Sequence, residues 1–270
     1  ETKAIKAQVA DLDTVLLRYP FRVAVRDSIA VVMDLHNMDH FLHAFTYPRW
    51  KHLASFGKRG EGPEEMLSAE NIQFNSLDSL WAIDANKMEI TRWKISPATG
   101  SAERVEEIKL DKELVRSLDF HTMESGFFIP DYMGEFRYWE VDSNGKPVKS
   151  IGEIPGETID ENTVRPALAQ AWRSFMDYNP DNGILTIATQ LGEVFEIFNL
   201  KDNTHKVLYG PAGEPQYKTA KDGTGVPTGI MGFSDIKVTN KYIYAVFQGI
   251  KFDDKIAAIK QGKEPENGAK

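Results

Sequence analysis

The sequence has no cysteine, which excludes a disulfide framework and any thiolate metal or redox site. It also lacks a long apolar run. Its longest strings, such as Ile29-Ala30-Val31-Val32-Met33, are strand-sized and far short of the roughly 20 residues that span a bilayer. Basic excess is missing too: 32 Lys and Arg stand against 40 Asp and Glu, a net charge of -8, so no general attraction to a nucleic-acid backbone is expected. The opening residues, Glu1 to Lys6, carry neither the basic region nor the apolar core of a signal peptide. What is present is a chain of 270 residues, 41% hydrophobic and 11% aromatic, which can bury a substantial core and is too apolar to stay disordered.

Short alternating strands follow one another at hairpin spacing. Val23 and Val25 open a first set, continued by Ser28 to Asp34, Phe41 to Thr46 and His52 to Phe56. A second set reads Asn71 to Phe74, Ser79 to Asp84, Met88 to Ile95 and Arg104 to Leu110. The third is Arg116 to His121, Gly126 to Pro130, Glu135 to Val141 and Lys146 to Ile151, its last hairpin turned by Asp142-Ser143-Asn144-Gly145, where Asn and Gly tolerate positive φ. The fourth is Ser174 to Tyr178, Ile184 to Ala188, Glu193 to Asn199 and His205 to Tyr209, and a fifth opens at Phe233 to Val238 and Tyr242 to Phe247. Marked by Val23, Ile72, Leu118, Phe175 and Ile236, the sets recur every roughly 45 to 60 residues, near the period of a four-stranded propeller blade. The expectation is one all-β domain over 1–270 with blades at 22–56, 70–110, 115–151, 174–209 and an incomplete 233–270.

Two insertions lengthen the later intervals. Val164, Leu168, Trp172 and Phe175 recur at helical spacing, with Asn162 or Thr163 as cap and Pro166 in the first turn; such a helix is expected across a blade face, burying Leu168 and Trp172. The second, Gly210 to Gly232, reads as a long loop rich in Gly, Pro, Lys and Thr. Asp253 to Lys260 suits a helical turn or two. The fifth sheet has only two recognisable strands, so the last part is expected to be truncated or incomplete, with Thr14 to Arg18, read as a short strand, as a candidate to pair with it.

Three stretches then resemble a known family: Phe56-Gly57-Lys58-Arg59-Gly60-Glu61-Gly62-Pro63-Glu64-Glu65, Trp172-Arg173-Ser174-Phe175-Met176-Asp177-Tyr178-Asn179-Pro180-Asp181, and Gly232-Phe233-Ser234-Asp235-Ile236-Lys237-Val238 running on to Phe247. They look like the TolB-like six-bladed propeller proteins among bacterial envelope lipoproteins. The resemblance implies six blades, export to the periplasm or cell surface, and lipid attachment at a cysteine upstream of Glu1. It brings no catalytic motif.

The residues themselves offer several constellations, each with a plain structural reading beside it. His36, His40 and His43, with Asp34 and Asp39, have the residue types of a zinc set, yet they fall on a strand-turn-strand and read as a solvated hairpin tip. Gly57, Gly60 and Gly62 could let amides approach a phosphate, but the Gly-Lys-Ser/Thr ending is absent and Pro63 removes a donor, so an inter-blade turn is expected, with Arg59 and Glu64 pairing with each other or with a neighbouring blade. Adjacent acids such as Glu64-Glu65, Glu106-Glu107 and Asp253-Asp254 point to opposite faces of a strand and do not make a facing acid and base. Alternation sets Phe136 and Tyr138 on one face and Trp139 on the other. No metal site and no cofactor is expected.

Function is therefore read as a non-enzymatic binding or scaffold module of the bacterial cell envelope, its partner an envelope protein, a peptide or a glycan, without nucleic acid or a transmembrane segment. The alternative is a propeller lyase or hydrolase acting on glycans at a central channel. Loops and the inserted helix are expected to gather on one side, which points to Arg59, Arg165, Trp172 and Tyr178 as ligand-binding residues.

Overall fold

Hairpins build this molecule, because each turn residue sits where the strands demand it. In the computed structural model, which describes residues 6, 8–12 and 15–263, the elements run β1 (Pro20–Arg26), β2 (Ile29–Asp34), β3 (His40–Thr46), β4 (His52–Lys58), β5 (Ala69–Ser76), β6 (Ser79–Asp84), β7 (Glu89–Ser96) and β8 (Ser101–Lys109). They continue as β9 (His121–Met123), β10 (Gly126–Pro130), β11 (Tyr138–Asp142), β12 (Pro147–Ile151), α1 (Arg165–Ala171), β13 (Ser174–Asn179), β14 (Ile184–Thr189), β15 (Val194–Asn199) and β16 (Thr204–Tyr209). β17 (Tyr217–Thr219), β18 (Gly225–Pro227), β19 (Ile230–Val238), β20 (Ile243–Lys251) and α2 (Phe252–Lys260) complete the order. β1 to β4, β5 to β8, β9 to β12 and β13 to β16 form four antiparallel four-stranded sheets in chain order, and β17–β18 and β19–β20 pair as hairpins. This is an all-β fold of four-stranded blades with two short helices.

The chain divides into two compact units, Glu1–Leu110 and Asp111–Lys270. In the first, the faces of two sheets meet around Val31, Leu42, Phe56, Ile72, Leu80 and Trp93, all buried. The link from Gly57 to Met66 is held by both sheets. On one side Arg59 donates to the carbonyls of Leu35 (2.7 Å) and Asn37 (2.9 Å) and lies 4.0 Å over the Phe41 ring. On the other, Lys87 donates to the carbonyls of Gly62 (2.6 Å) and Glu65, and Arg104 to that of Pro63 (3.2 Å). The acid that pairs within the link is Glu65, 2.6 Å from Lys58, while Arg59 spends itself on carbonyls rather than on Glu64.

A repeated device ends the second strand of both sheets. Asp34, fully buried at the end of β2, accepts the N–H groups of Arg18 (2.7 Å), Tyr19 (2.8 Å) and His36 (3.2 Å). Asp84, fully buried at the end of β6, accepts those of Leu67, Ser68, Asn86 and Lys87 at 2.6 to 3.2 Å. Each carboxylate thus fastens the run entering the first strand to the turn leaving the second. Burial pushes the Asp34 carboxyl up, and the three amides outweigh it, holding the group below its ordinary value.

In the second unit, Met176, Leu185, Ile187 and Phe198 pack against Phe128 and Tyr138 between two sheets. The Asp142 to Gly145 turn forms as expected, with Asp142 Oδ1 accepting from Asn144 (2.8 Å) and Lys146 (2.9 Å) and Gly145 at φ 79°. Several expectations are corrected. Val15 to Arg18 are not in a strand, and Thr14 lies outside the described residues. The first strand of the third sheet is His121–Met123, not Arg116 to His121, because Asp119 folds its carboxylate onto the amide of Phe120 (2.8 Å). β11 begins only at Tyr138; Phe136 precedes it and packs on Trp139 at 5.3 Å instead of sharing a face with Tyr138. α1 is shorter than its apolar spacing suggests: it stops at Ala171, Phe175 belongs to β13, and its start at Val164 has no side-chain cap, since Thr163 is engaged with Asp160. The supposed loop 210–232 contains the β17–β18 hairpin, which is fastened to α1 by Gln170 accepting the Gly225 N–H at 2.7 Å. Leu168 and Trp172 are buried as expected, with Ala171 and Val194.

Candidate functional site

Three first strands of the second unit bring titratable side chains together. Asp177 on β13 lies 3.1 Å from His121 Nε2 on β9 and 2.8 Å from Lys237 Nζ on β19, both through Oδ1, and its Oδ2 accepts the Val238 N–H at 2.6 Å. Asp177 and His121 are buried, whereas the Lys237 side chain is 66% exposed. The other ring nitrogen of His121, Nδ1, is 3.0 Å from the Thr122 carbonyl. Burial drives the Asp177 carboxyl up, yet the hydrogen bond and charge of His121 and then Lys237 prevail and hold it below its ordinary value. Tyr178 sets its ring edge-on to His121 at 5.8 Å and to Phe128 at 5.0 Å, and burial pushes its hydroxyl up.

A second buried network lies between the third and fourth sheets. Arg137, 4% exposed, donates to Glu196 Oε1 (2.7 Å), Ser174 Oγ (2.9 Å) and the Trp172 carbonyl (3.3 Å). His205 reaches Glu196 Oε2 at 3.1 Å and stacks on Phe198 at 4.0 Å. Glu196 is fully buried with both oxygens engaged. Neither this carboxylate nor Asp177 has a free oxygen to act as a base, so both work first as ties between strands. The parts of these networks that face water are the Lys237 ammonium, with the half-buried Tyr178 beside it, and the exposed His205.

The four residues singled out in the sequence fall in different settings. Arg59 braces the link of the first unit. Arg165 is exposed at the start of α1 and donates to the Gly134 carbonyl at 2.9 Å. Trp172, 3% exposed, packs its ring into the core beneath α1 with Arg137 5.7 Å from the ring centre. Tyr178 borders the His121–Asp177 pair. Arg165 and Trp172 share α1 and its end, and no hydrogen bond or ring contact joins them to Tyr178. Of the histidines, His36 stacks on Tyr19 at 4.8 Å and His43 turns to Ser55 at 2.9 Å. Among the described residues no group of three or more His, Asp or Glu is placed to hold a metal, and no helix is long and apolar enough to cross a membrane.

Sequence reasoning missed His121, Asp177 and Lys237, which are about 60 residues apart along the chain. The signal available was positional: the buried Phe120 lies just before β9, and the buried Phe175 and Ile236 lie on β13 and β19, with His121 and Lys237 each following one of them.

Known proteins were compared with the chain. A family model described as TolB-like 6-blade propeller-like matches residues 1–269. A protein of unknown function from Bacteroides caccae is similar in structure, with a TM-score of 0.53 and 11% identity over 92% of this chain and 80% of its own. The hydrazine synthase of Kuenenia stuttgartiensis aligns with a TM-score of 0.51 and 10% identity, over 93% of this chain and 60% of its own. A member of the DUF4221 family from Bacteroides vulgatus gives 0.50 and 9% over 87% and 72%. At such identities the likeness is one of fold. No curated protein matches in sequence.

Proposed function

Because the chain belongs to the TolB-like 6-blade propeller-like family, we propose that it is a binding or scaffold module of the bacterial cell envelope. It is exported to the periplasm or cell surface and holds a glycan, a peptide or an envelope protein without turning it over. Six blades go with this reading: the four four-stranded sheets count as four, and β19–β20 opens the fifth. The observation that supports holding over turnover is the state of the buried carboxylates. Asp177 and Glu196, buried acids that each face a histidine, have both oxygens committed to neighbouring protein groups.

Arg165 and Tyr178 are the ligand contacts in this proposal, while Trp172 seats α1; Arg59, in the first unit, holds the link. Thermal unfolding against a panel of envelope glycans and short peptides tests it: a ligand at about a hundredfold over its Kd adds roughly 2.7 kcal/mol to the native state. Arg165→Ala and Tyr178→Phe should each reduce that gain. If both variants keep the full shift, the placement is wrong. A shift with no glycan or peptide in the panel leaves an envelope protein as the partner.

One observation favours a second reading, a lyase or hydrolase acting on glycans at a central channel: His121, Asp177 and Lys237 converge from three first strands. Release of new reducing ends from a glycan, lost in Asp177→Asn, would replace the binding module with this enzyme.

A further inference from the structure

We propose that Ser55 is a nucleophile that accepts an acyl group from an activated carboxylic ester, with His43 taking its proton. The capture is stoichiometric, so it goes beyond the binding reading and stands independently of it.

Ser55 lies directly opposite His43 across the β3–β4 pair, and its Oγ is 2.9 Å from His43 Nδ1. His52 Nε2 is 3.1 Å from the same Oγ. In a regular strand, residues three apart face opposite sides. Here the register shifts between Ala44 and Phe45, and this irregularity lets His52 turn toward Ser55, as bulges beside functional groups do. A hydroxyl has one hydrogen to give and lone pairs to receive, so Ser55 can donate to one imidazole while accepting from the other.

His43 is suited to the part of base. It is 3% exposed; burial foremost drives its pKa down, Asp34 pulls the other way, and His40 and His52 add to the fall. The neutral ring is therefore favoured. Its Nε2 is buried with no partner, so the ring is not a saturated structural tie like Asp177. Ser55 and His52 are only half-buried, which leaves the hydroxyl within reach.

A path of rings leads away from the site. His52 meets Phe45 edge-on at 5.7 Å, Phe45 lies 6.0 Å from Trp50, and Trp50 lies 6.0 Å from Tyr47, which is 42% exposed. Trp50 is held at φ 57°, a conformation that bulky residues rarely take and that accumulates near functional sites. Phe45 is fully buried, and the half-buried Trp50 and exposed Tyr47 at the end of the path suit an aryl or aliphatic ester. In the step itself, Ser55 Oγ bonds to the ester carbonyl carbon and its proton passes to His43 Nδ1. The carbon–oxygen bond to the alcohol then breaks, and the departing alkoxide recovers the proton from His43. The products are acyl-Ser55 and the free alcohol.

The test uses the full chain with p-nitrophenyl acetate and, separately, an alkyl fluorophosphonate, followed by peptide mapping. One p-nitrophenolate per chain should be released in a burst, and both labels should map to Ser55. Ser55→Ala should abolish both, His43→Gln should slow them about 10²-fold or more, and Ser101→Ala, an exposed control, should react normally. Labelling should weaken on acidification as His43 gains a proton, in a profile shaped by Asp34, His40 and His52 around it. A wild-type chain that takes no label, or takes it elsewhere, overturns the proposal even if Ser55→Ala does not fold. So does His43→Gln reacting at the wild-type rate.

Discussion

The two units secure their strands with buried carboxylates of two kinds, and they place those kinds at different strand positions. In Glu1–Leu110, Asp34 and Asp84 close the second strands by accepting main-chain N–H groups. In Asp111–Lys270 the second strand β14 ends instead in Thr189, whose hydroxyl exchanges hydrogen bonds with Val194 at 3.2 and 3.3 Å. There Asp177 and Glu196, on a first and a third strand, are met mainly by cationic side chains, as the buried Glu89 is by Lys109 and Arg104 in the first unit, while Asp119 accepts the N–H groups of Phe120 and Met176. Backbone donors survive every substitution except proline, and they fix local chain path. Side-chain donors join strands far apart in sequence, and losing one leaves its partner buried and alone.

The comparison breaks most visibly at Glu196. Glu196→Ala strands the Arg137 guanidinium in the core and should cost about 3–5 kcal/mol in urea unfolding, whereas the double replacement Arg137→Met with Glu196→Leu should recover most of it. A loss under about 1 kcal/mol for the single variant would mean that Ser174 and the Trp172 carbonyl satisfy Arg137 without the acid. Next comes Asp84→Ala, which removes the acceptor from four amides. It should cost about 2–3 kcal/mol, because turn amides regain water more readily than a core guanidinium. Equal losses for the two variants would erase the distinction between the two kinds of carboxylate.

Acid provides the smallest and sharpest contrast. Asp34 and Asp177 both ionise below their ordinary value of 3.8 in the folded chain. Their contributions are therefore complete above pH 3.8 and vanish as pH falls from there through the folded values. Separate tryptophan and amide-exchange readouts of each unit should show both loosening in that window. If either unit stays intact well below it, its aspartate does not carry the stability assigned here.

Much of this architecture was legible in the sequence because hairpins are local. Ser79 to Asp84 and Gly126 to Pro130 have the same ends in sequence and structure, since turn residues bound an apolar run on each side. The failures arose where polar side chains redirected the backbone. Asp119 ends the run that would have made an early strand in the third sheet, and Asp160 removes Thr163 from capping α1. The β17–β18 hairpin was invisible for another reason: strands of three residues that rest on α1 have no periodicity of their own. The site was harder still. His121, Asp177 and Lys237 are ordinary residues in ordinary strands, and only the lateral order of sheets makes them neighbours. Ser55 and His43 lie twelve residues apart on adjoining strands, yet the register shift that recruits His52 has no simple sequence mark.

The link of the first unit has a consequence for how such a chain can change over generations. A side chain begun at Gly60 would place its first carbon 2.0 Å from Glu65 Oε2, and one begun at Gly62 would come within 3.0 Å of the same oxygen. Glu65 in turn accepts the Gly62 N–H at 2.9 Å and pairs with Lys58. The two glycines are the mould of that carboxylate. That carboxylate ends a flexible side chain, so a change at Gly62 asks only a small shift of Glu65, whereas one at Gly60 must swing Glu65 away from Lys58, which couples the history of residue 60 to that of residue 65.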